Sequence, residues 1–430
     1  MRVLVISHNI FSKTASMGKT LATYFNGWEK DELAQFYIHS EVPTVDICTN
    51  YYRFTDKEAI KSIFTRKGGK IYSKEDIDIN KQDSFEFDQK TANAYQKGRK
   101  RTPLIYLVRN LVWNLSAWNN RQYKKWVDDF NPDVVFLASG DYAFLYKIAL
   151  QTAKRKKIPL IISCMDDYYF NNKNKKKFLG KFAHSLFMKQ VKKTVNYSSC
   201  LMCICQKMSE DYEKLFNKKC ITLNTPSTIS AQLNEEKTNA ITYLGNLGYK
   251  RSEGLVDIGR ALKSLDIDGA PKFIDVYTTE PREEVLKPLT EENGIKLHKA
   301  VSAEEVKKII GQSLAVVHTE SFDNETANSV RYSVSTKIAD SLASGTCLFA
   351  YGPGDIASIK YLKENNAAFV VDSPDDLQQK LIELITNKDL RNQIQNNAIK
   401  LANKNHSLEK NNNLILEVIQ FLNQKAEKFE

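Results

Sequence analysis

Two stretches in the second half of the chain place glycine, cations and small polar residues where they suit phosphate binding. The first, TYLGNLGYKRSEGL at 242–255, predicts an apolar strand, a loop containing Gly245 and Asn246, and a helix that starts near Arg251. A glycine-bearing loop at the carboxyl end of a strand exposes backbone N–H groups, and a cation behind the loop favours a pyrophosphate. Glycine loops are common, so this element alone does not define a function.

The second stretch supplies a lysine at the start of a predicted helix and a carboxylate one turn later. In the segment SVSTK, the small residues Ser335 and Thr336 precede Lys337, and Asp340 follows three residues further on. Positions three apart lie on the same face of a helix. A helix N-terminus with a lysine favours phosphate, and a carboxylate can accept two hydrogen bonds from a ribose diol.

A further glycine candidate lies near the amino terminus. Residues 16–20, SMGKT, resemble the end of a phosphate-binding P-loop, but position 13, where that motif needs glycine, is Lys13. The match therefore fails. Gly18 still lies where a helix begins, so backbone N–H groups there could receive an anion or a sugar hydroxyl. A glycine required for tight strand-to-helix packing is an equal alternative.

No metal site is predicted. Cys200, Cys203 and Cys205 lie within one continuous apolar strand pattern, and unpaired cysteines are among the most buried residues. The sequence contains no second cluster with metal-ligand spacing, and Asp166-Asp167 is the nearest approach to a DxD metal motif. We expect neither a metal nor an organic cofactor.

These motifs fall on two series of alternating strand and helix patterns, which a polar linker near 224–240 separates. Apolar strand patterns occur in both series, at 2–7, 134–138, 160–164, 200–205, 240–245, 272–278, 314–320, 347–352 and 367–371. The alternation predicts two doubly wound α/β domains with parallel sheets. We place the domains and their additions at 1–225 with a polar insertion at about 50–100, at 226–405, and at 406–430 for a terminal helix.

Composition limits the class of protein. The 430 residues are 42% hydrophobic and contain 17 Gly and 10 Pro, which excludes a largely disordered or collagen-like chain. The net charge of +11 indicates an anionic partner, although no nucleic-acid module is recognisable and nucleic acid is not expected. Seven scattered cysteines, no signal-peptide pattern and no apolar run of about 18 residues predict a cytoplasmic protein without a membrane span.

Two basic segments of the first half are interleaved with aromatic residues. The segment 99–126 contains Trp113, Trp118 and Trp126 among its cations, and the segment 173–193 includes the run KNKKKF. Cations interleaved with aromatic residues suit peripheral attachment to an anionic membrane. Solvated outer helices of a basic protein are the equal alternative.

The order of motifs in the second half resembles the nucleotide-binding domain of GT-B glycosyltransferases. The similar enzymes are bacterial and family-4-like (glycosyl transferases group 1), from capsule and exopolysaccharide clusters. The matching segments are YLGNLGYKR, HTESFD, SVSTKIADSLASG and YGPGDIASIKYL. A fainter resemblance in the first half rests on SHNIFSKTASMGKT, NPDVVFLASGD and MDDYY. It implies a GT-B fold: two Rossmann-like domains facing a cleft, with a last helix that returns to the first domain.

The resemblance also implies an activity. The chain would transfer a hexosyl group, with retention and without a metal, from a nucleotide sugar, expected to be UDP-linked, to a lipid-linked or protein-linked surface-polysaccharide acceptor. Arg251 and Lys337 would bind the diphosphate and Asp340 the ribose. The full set of implied donor-binding residues is Gly245, Asn246, Arg251, Ser335, Thr336, Lys337 and Asp340. Retaining relatives carry Glu-x7-Glu, whereas this chain has Tyr332 and Asp340, and its nearest acids, Glu320, Asp323 and Glu325, lie elsewhere.

On the acceptor side we predict Gly18 and Lys19 as binding residues and Asp141 and Asp166 as catalytic candidates. An inverting enzyme would need one of these two acids as its base, whereas a retaining enzyme would not. Helix N-caps are the alternative role for both acids. A non-catalytic GT-B subunit that binds a partner enzyme or acceptor is the alternative function. A nucleotide-sugar epimerase is disfavoured, because its catalytic acids and histidine cannot be placed.

Overall fold

The computed structural model describes residues 1–12, 16–77, 102–170, 178–227, 229–231 and 237–427. The chain divides into two compact units. The amino-terminal unit comprises Met1–Leu223 and Asn411–Glu430, and the carboxyl-terminal unit comprises Asn224–Lys410. None of the helices in the described ranges is long and apolar enough to cross a membrane.

An eight-stranded sheet forms the centre of the amino-terminal unit. Its strands are β1 Val3–Ser7, β2 Leu33–Tyr37, β3 Asn50–Arg53, β4 Lys70–Tyr72, β5 Val134–Ala138, β6 Leu160–Cys164, β7 Cys200–Cys203 and β8 Cys220–Thr222. Their order is β4-β3-β2-β1-β5-β6-β7-β8, and all described pairs are parallel except β3 with β4. The strand order reverses at β1 and β5, so the carboxyl ends of these two strands border the crevice where doubly wound sheets bind ligands.

Helices cover this sheet and complete its core. They are α1 Ser16–Tyr24, α2 Asp56–Thr65, α3 Pro103–Leu115, α4 Arg121–Phe130, α5 Ala143–Lys156, α6 Phe178–Tyr197, α7 Gln206–Phe216 and the last helix, α16 Leu408–Glu427. Ile415 and Ile419 of the last helix are fully buried in the same core cluster as Val3 and Val5. The predicted return of the terminal helix to the first domain is therefore confirmed.

The structure corrects the predicted polar insertion at about 50–100 over its first part. Residues 50–72 contribute β3, α2 and β4 to the sheet. Tyr51 and Tyr52 of β3 are fully buried, and Thr55 caps α2 in a capping box with Glu58. The strand β3 has only four residues, so its apolar pattern is not recognisable within the surrounding polar sequence. Residues 78–101 lie outside the described ranges.

The carboxyl-terminal unit contains a six-stranded parallel sheet. Its strands are β9 Ile241–Leu244, β10 Ile274–Thr278, β11 Ile295–Lys299, β12 Ala315–Thr319, β13 Cys347–Tyr351 and β14 Phe369–Val371. Their order, β11-β10-β9-β12-β13-β14, is that of the Rossmann fold, with its reversal between β9 and β12. The helices of the unit are α8 Arg251–Ser264, α9 Glu283–Leu286, α10 Ala303–Gln312, α11 Asn324–Val330, α12 Thr336–Ala343, α13 Ala357–Glu364, α14 Leu377–Thr386 and α15 Lys388–Asn405.

Candidate functional site

A cavity of about 380 Å³ opens at the reversal of strand order in the carboxyl-terminal unit. Its lining comes from the carboxyl ends of β9, β10 and β12 and from the start of α12. Residues that line it include Tyr243, Gly245, Asn246, Arg251, Tyr277, Thr278, Val301, Val306, Ile310, His318, Ser335, Lys337 and Asp340. The cavity therefore lies where open α/β sheets bind their ligands.

The loop after β9 is held against the cavity wall by two hydrogen bonds. The backbone N–H of Gly245 donates to the Tyr277 carbonyl at 2.9 Å, and the Tyr243 hydroxyl donates to the Asn246 carbonyl at 2.6 Å. A Cβ atom at Gly245 would lie 1.9 Å from Nζ of Lys337. Position 245 therefore has no room for a side chain while the lysine keeps its place.

The start of α8 lies close to the end of β12. Tyr249 and Lys250 adopt left-handed backbone conformations, with φ of 59° and 56°, and turn the chain into Arg251 at the first helical position. A Cβ at Gly254 would lie 2.2 Å from Oγ1 of Thr319. A glycine in the first turn of α8 therefore allows the helix to approach the strand and brings Arg251 to the cavity.

Arg251 forms an ion pair with a buried carboxylate. Its Nη2 lies 2.8 Å from Oε1 and 3.2 Å from Oε2 of Glu320, and Nη1 donates to Oδ1 of Asn246 at 3.2 Å. The side chains of Arg251 and Glu320 are 14% and 1% exposed. Burial raises the pKa of Glu320 above its usual value, while Arg251 acts in the opposite direction. The ion pair holds the guanidinium of Arg251 at the carboxyl end of β12.

Lys337 is the second cation of the cavity. Ser335 caps α12 by accepting a hydrogen bond from the Lys337 backbone N–H at 3.4 Å, so the lysine lies in the first turn. Desolvation of the amino group and the nearby charge of Arg251 lower the pKa of Lys337 to about 8. Across the described ranges, no acidic side chain lies within ion-pair distance of Lys337. A cation at a helix N-terminus is unfavourable by itself, so the arrangement favours a bound anion.

Asp340 and His318 are two further polar residues that line the cavity. Oδ1 of Asp340 accepts a hydrogen bond from the Ser227 hydroxyl at 2.8 Å. Nε2 of His318 lies 3.1 Å from Oγ of Ser358 and 3.6 Å from Oε1 of Glu320. Burial, then the charges of Arg251 and Lys337, lower the pKa of His318 to about 3. His318 is therefore a neutral imidazole near pH 7.

Apolar and aromatic side chains also line the cavity. The ring of Tyr277 stacks on His298, with centroids 4.5 Å apart and an angle of 15° between the planes. Val301, Val306 and Ile310 are its aliphatic lining residues nearby in sequence. A lining that combines two cations with apolar and aromatic side chains suits a ligand with an anionic group and a planar ring.

The structure brings six of the seven predicted donor-binding residues to this one cavity: Gly245, Asn246, Arg251, Ser335, Lys337 and Asp340. Thr336 is exposed on the first turn of α12 and does not line it. Glu320, to which the sequence interpretation gave no role, lies beside the site as the partner of Arg251. Its position directly after a strand that borders the strand-order reversal was the available signal.

Asp141 and Asp166 lie after the carboxyl ends of β5 and β6, which are neighbouring strands of the amino-terminal sheet. Oδ1 of Asp166 accepts a hydrogen bond from the backbone N–H of Asp167 at 2.8 Å. Asp167 is buried, and its Oδ1 accepts hydrogen bonds from the Phe170 N–H and the Tyr212 hydroxyl, both at 2.9 Å. The fold therefore uses Asp167 structurally, while the roles of Asp141 and Asp166 remain predictions.

Close packing accounts for Gly18. A Cβ there would lie 2.2 Å from the Ile10 carbonyl oxygen, and α1 begins two residues earlier, at Ser16. Gly18 is buried and Lys19 is exposed. The geometry favours the packing alternative for the glycine, and acceptor binding by Gly18 and Lys19 stays a prediction.

The sequence interpretation missed a cluster around His8, at the carboxyl end of β1. The imidazole of His8 stacks on Tyr142, with centroids 5.2 Å apart, and lies 5.7 Å from the ring of His39. The guanidinium of Arg109 lies 3.9 Å from the centre of the Tyr142 ring. Burial, then Arg109 and His39, lower the pKa of His8 to about 3. His8 directly follows β1, at the strand-order reversal of the amino-terminal sheet, and this position was the signal that the sequence interpretation overlooked.

The cysteines and the three tryptophans of the basic segment 99–126 are all buried. All seven cysteines are buried, and none of them forms a disulfide. No group of three or more His, Cys, Asp or Glu side chains in the described ranges could hold a metal ion. Trp113, Trp118 and Trp126 are buried in the amino-terminal unit, and membrane attachment through the two basic segments stays a prediction.

Comparison with known proteins agrees with this arrangement. The family described as Glycosyl transferase-like matches residues 270–417. The fold and this match confirm the predicted resemblance to GT-B glycosyltransferases, and the chain has the GT-B fold. No curated protein matches the chain.

Solved structures similar to the chain extend over nearly its whole length. HepE of Anabaena in complex with UDP has a TM-score of 0.59 and 10% identity, covering 98% of this chain and 100% of its own. Sucrose-phosphate synthase of Thermosynechococcus elongatus has a TM-score of 0.59 and 9% identity, covering 98% and 99%. The trehalose-6-phosphate protein of E. coli bound with UDP-2-fluoro glucose has a TM-score of 0.60 and 10% identity, covering 97% and 99%.

Proposed function

We propose that the chain transfers a hexosyl group from a UDP-linked sugar to an acceptor hydroxyl. The observation that carries this proposal is the cavity in which Arg251 and Lys337 face the same space as Asp340, at the strand-order reversal of a Rossmann sheet. The complexes of similar fold with UDP and UDP-sugar analogues support a uridine nucleotide as the donor.

In the proposed reaction, the two cations stabilise the diphosphate as it leaves the sugar. Charge develops on the leaving oxygen in the transition state, and preorganised cations lower the barrier most where water is excluded. Arg251 is already oriented by Glu320, and Lys337 has no acidic partner among the described residues, so it can bind the phosphate directly. The protein itself supplies the positive charge, and we propose a metal-independent reaction. The Gly245–Asn246 loop would face the sugar and phosphates, and Asp340 would bind the ribose.

We propose retention at the anomeric carbon, by the resemblance to family-4-like enzymes. In an inverting enzyme Asp141 or Asp166 would act as the base. We further propose that the acceptor is a lipid-linked or protein-linked intermediate of a capsule or exopolysaccharide, used in the cytoplasm at the inner face of the membrane.

A non-catalytic subunit of the same fold is the second candidate. It is favoured by Tyr332, which is 3% exposed and stands eight residues before Asp340, where retaining relatives carry their first glutamate. The two candidates differ in turnover. Incubation with a panel of UDP- and GDP-sugars, followed by assay of released nucleotide, should show release from one UDP-hexose and loss of release in Lys337→Ala. Binding of UDP without release from any sugar would favour the subunit.

A further inference from the structure

Most of the exposed large apolar side chains of the amino-terminal unit, among the described residues, lie on three neighbouring helices. Helix α3 packs against both α2 and α6. Of the seventeen exposed large hydrophobic side chains in the described ranges, eleven lie on these three helices. Such a concentration on one part of a surface marks an interaction site and is not expected of a face that is only solvated.

The outer face of α3 is apolar along its whole length. Leu104, Val108, Leu111 and Leu115 follow one another at helical spacing and are 60%, 51%, 58% and 52% exposed. The one charged side chain of the helix, Arg109, points inward, where its Nε donates to Oδ1 of Asp56 at 2.9 Å. The outer stripe of α3 therefore carries no charge.

Helix α6 combines an apolar stripe with lysines. Phe178, Phe182 and Leu186 are 84%, 52% and 43% exposed, at intervals of four residues. Lys189 and Lys193 continue the same helical face and are exposed. Neither α3 nor α6 contains an acidic residue.

Helix α2 adds a mixed edge to this surface. Ile60 and Phe64 are 54% and 84% exposed. Lys57, before Ile60, and Lys61, between the two apolar residues, are also exposed. The apolar side chains of α6 are thus bordered by lysines alone, whereas those of α2 are accompanied by both lysines and the acids Asp56 and Glu58.

We propose that the exposed faces of α2, α3 and α6 dock on an anionic bilayer, with the leucines and phenylalanines inserted among the acyl chains. An apolar helix face with flanking lysines fits this occupant, because the apolar side chains bury in the interface while the ammonium groups reach anionic headgroups. A bilayer also tolerates the uncharged stripe of α3 without a matching partner groove. Because the lysines are complementary in charge to anionic lipid, we expect an anionic bilayer to be preferred over a neutral one.

The proposal adds insertion to the electrostatic attachment that the sequence predicts. Salt screens the attraction of lysines to headgroups but does not screen apolar burial. Docking should therefore persist in part at high salt. The inner side of α3 carries Arg109, which lies over Tyr142 beside His8. Under the proposed function, on which this sentence rests, docking would hold that cluster near a lipid-linked acceptor.

Vesicle sedimentation of the full chain tests the docking. The vesicles are phosphatidylcholine alone or an equimolar mixture of phosphatidylcholine and phosphatidylglycerol. We expect pelleting with the mixed vesicles, partly retained in about 0.5 M NaCl because insertion is not screened. The double variant Leu111→Glu/Phe182→Glu should bind the mixed vesicles at least about tenfold more weakly, since it places charge in the apolar interface. Ile382→Glu, an equally polar change at an exposed position of α14, should bind normally.

Three results would overturn the proposal. The first is equal pelleting of the double variant and the Ile382→Glu control, and the second is no pelleting of the unaltered chain at low salt. The third is a dimer in analytical ultracentrifugation that the double variant disperses, with no vesicle binding, since a second copy would then cover this face. Unchanged thermal melting and UDP affinity establish that the double variant is folded. Failure of docking thus leaves the proposed donor site untouched.

Discussion

The guanidinium of Arg251 is held by the carboxylate of Glu320, 69 residues further along the chain, through Nη2 contacts of 2.8 and 3.2 Å. The carboxylate neutralises one of the two cations proposed for the donor diphosphate. A diphosphate must therefore share the guanidinium with Glu320, and Lys337 is the cation without such a competitor among the described residues.

Glu320→Gln should make the protein more dependent on UDP for its stability. Breaking a buried ion pair costs about 3–5 kcal/mol, because it leaves the remaining charge desolvated and unpaired. A bound diphosphate would supply the missing anion to Arg251. We expect UDP to raise the melting temperature of this variant more than that of the unaltered protein, by fluorimetric melting. Glu364→Gln, on the surface of α13, is the control. A smaller shift in Glu320→Gln would contradict a phosphate contact at Arg251.

Lys337→Ala should weaken UDP binding by about ten- to a hundredfold, because a charged hydrogen bond to phosphate contributes about 1.5–3 kcal/mol. Titration calorimetry measures the change. Lys380→Ala, a lysine of α14 that pairs with Glu383 and lies outside the cavity, should leave the affinity unchanged. Unchanged affinity in Lys337→Ala and in Arg251→Ala would refute the diphosphate assignment.

UDP affinity should fall as the pH rises above about 8. The pKa of Lys337 is lowered to about 8, and only its protonated form attracts the diphosphate. Below that pH the lysine is already charged, so affinity should be nearly constant. Above it, binding must take up a proton, and affinity should drop by up to about tenfold per pH unit. Calorimetry in buffers of different ionisation enthalpy measures the uptake. Lys337→Arg should remove this pH dependence, and its persistence in that variant would exclude Lys337 as its source.

Asp340→Asn should lower UDP affinity modestly and leave turnover measurable, because the amide retains one acceptor oxygen. The proposed ribose contact can be isolated with 2′-deoxy-UDP. If Asp340 binds the ribose hydroxyls, the losses from the variant and from the deoxy ligand should be non-additive. Additive losses would place the carboxylate elsewhere. Normal binding with nearly complete loss of turnover would instead assign Asp340 to the chemistry.

His318 should make the carboxyl-terminal unit sensitive to acid. Its folded pKa is about 3 because of burial and of Arg251 and Lys337, while an unfolded histidine titrates near its usual value of about 6.5. The contribution to stability is complete above about pH 6.5 and is lost as the pH falls toward 3, by about 2 kcal/mol at pH 5. Urea unfolding at pH 7 and pH 5 should show a smaller pH effect in His318→Gln. An equal effect in both proteins would show that other groups cause it.

Local sequence determined much of the fold. Strands such as Val3–Ser7 and Cys347–Tyr351 were predictable because both faces are buried, so each reads as an unbroken apolar run. The short motifs around Gly245 and Lys337 were predictable because a helix start and its preceding loop involve adjacent residues. Leu33–Tyr37 was missed because Gln35 interrupts its pattern, and this buried amide donates to Ser7 and Asn9.

Tertiary structure alone decided which distant residues meet and which faces are covered. Glu320 joins Arg251 because β9 and β12 are neighbours in the sheet, and strand order cannot be read from local periodicity. The tryptophans of the basic segment are buried, while the leucines of α3 are exposed, and the sequence did not distinguish the two sets. Burial depends on the packing of α3 against α2 and α6, whereas sequence spacing records only which side chains share a face.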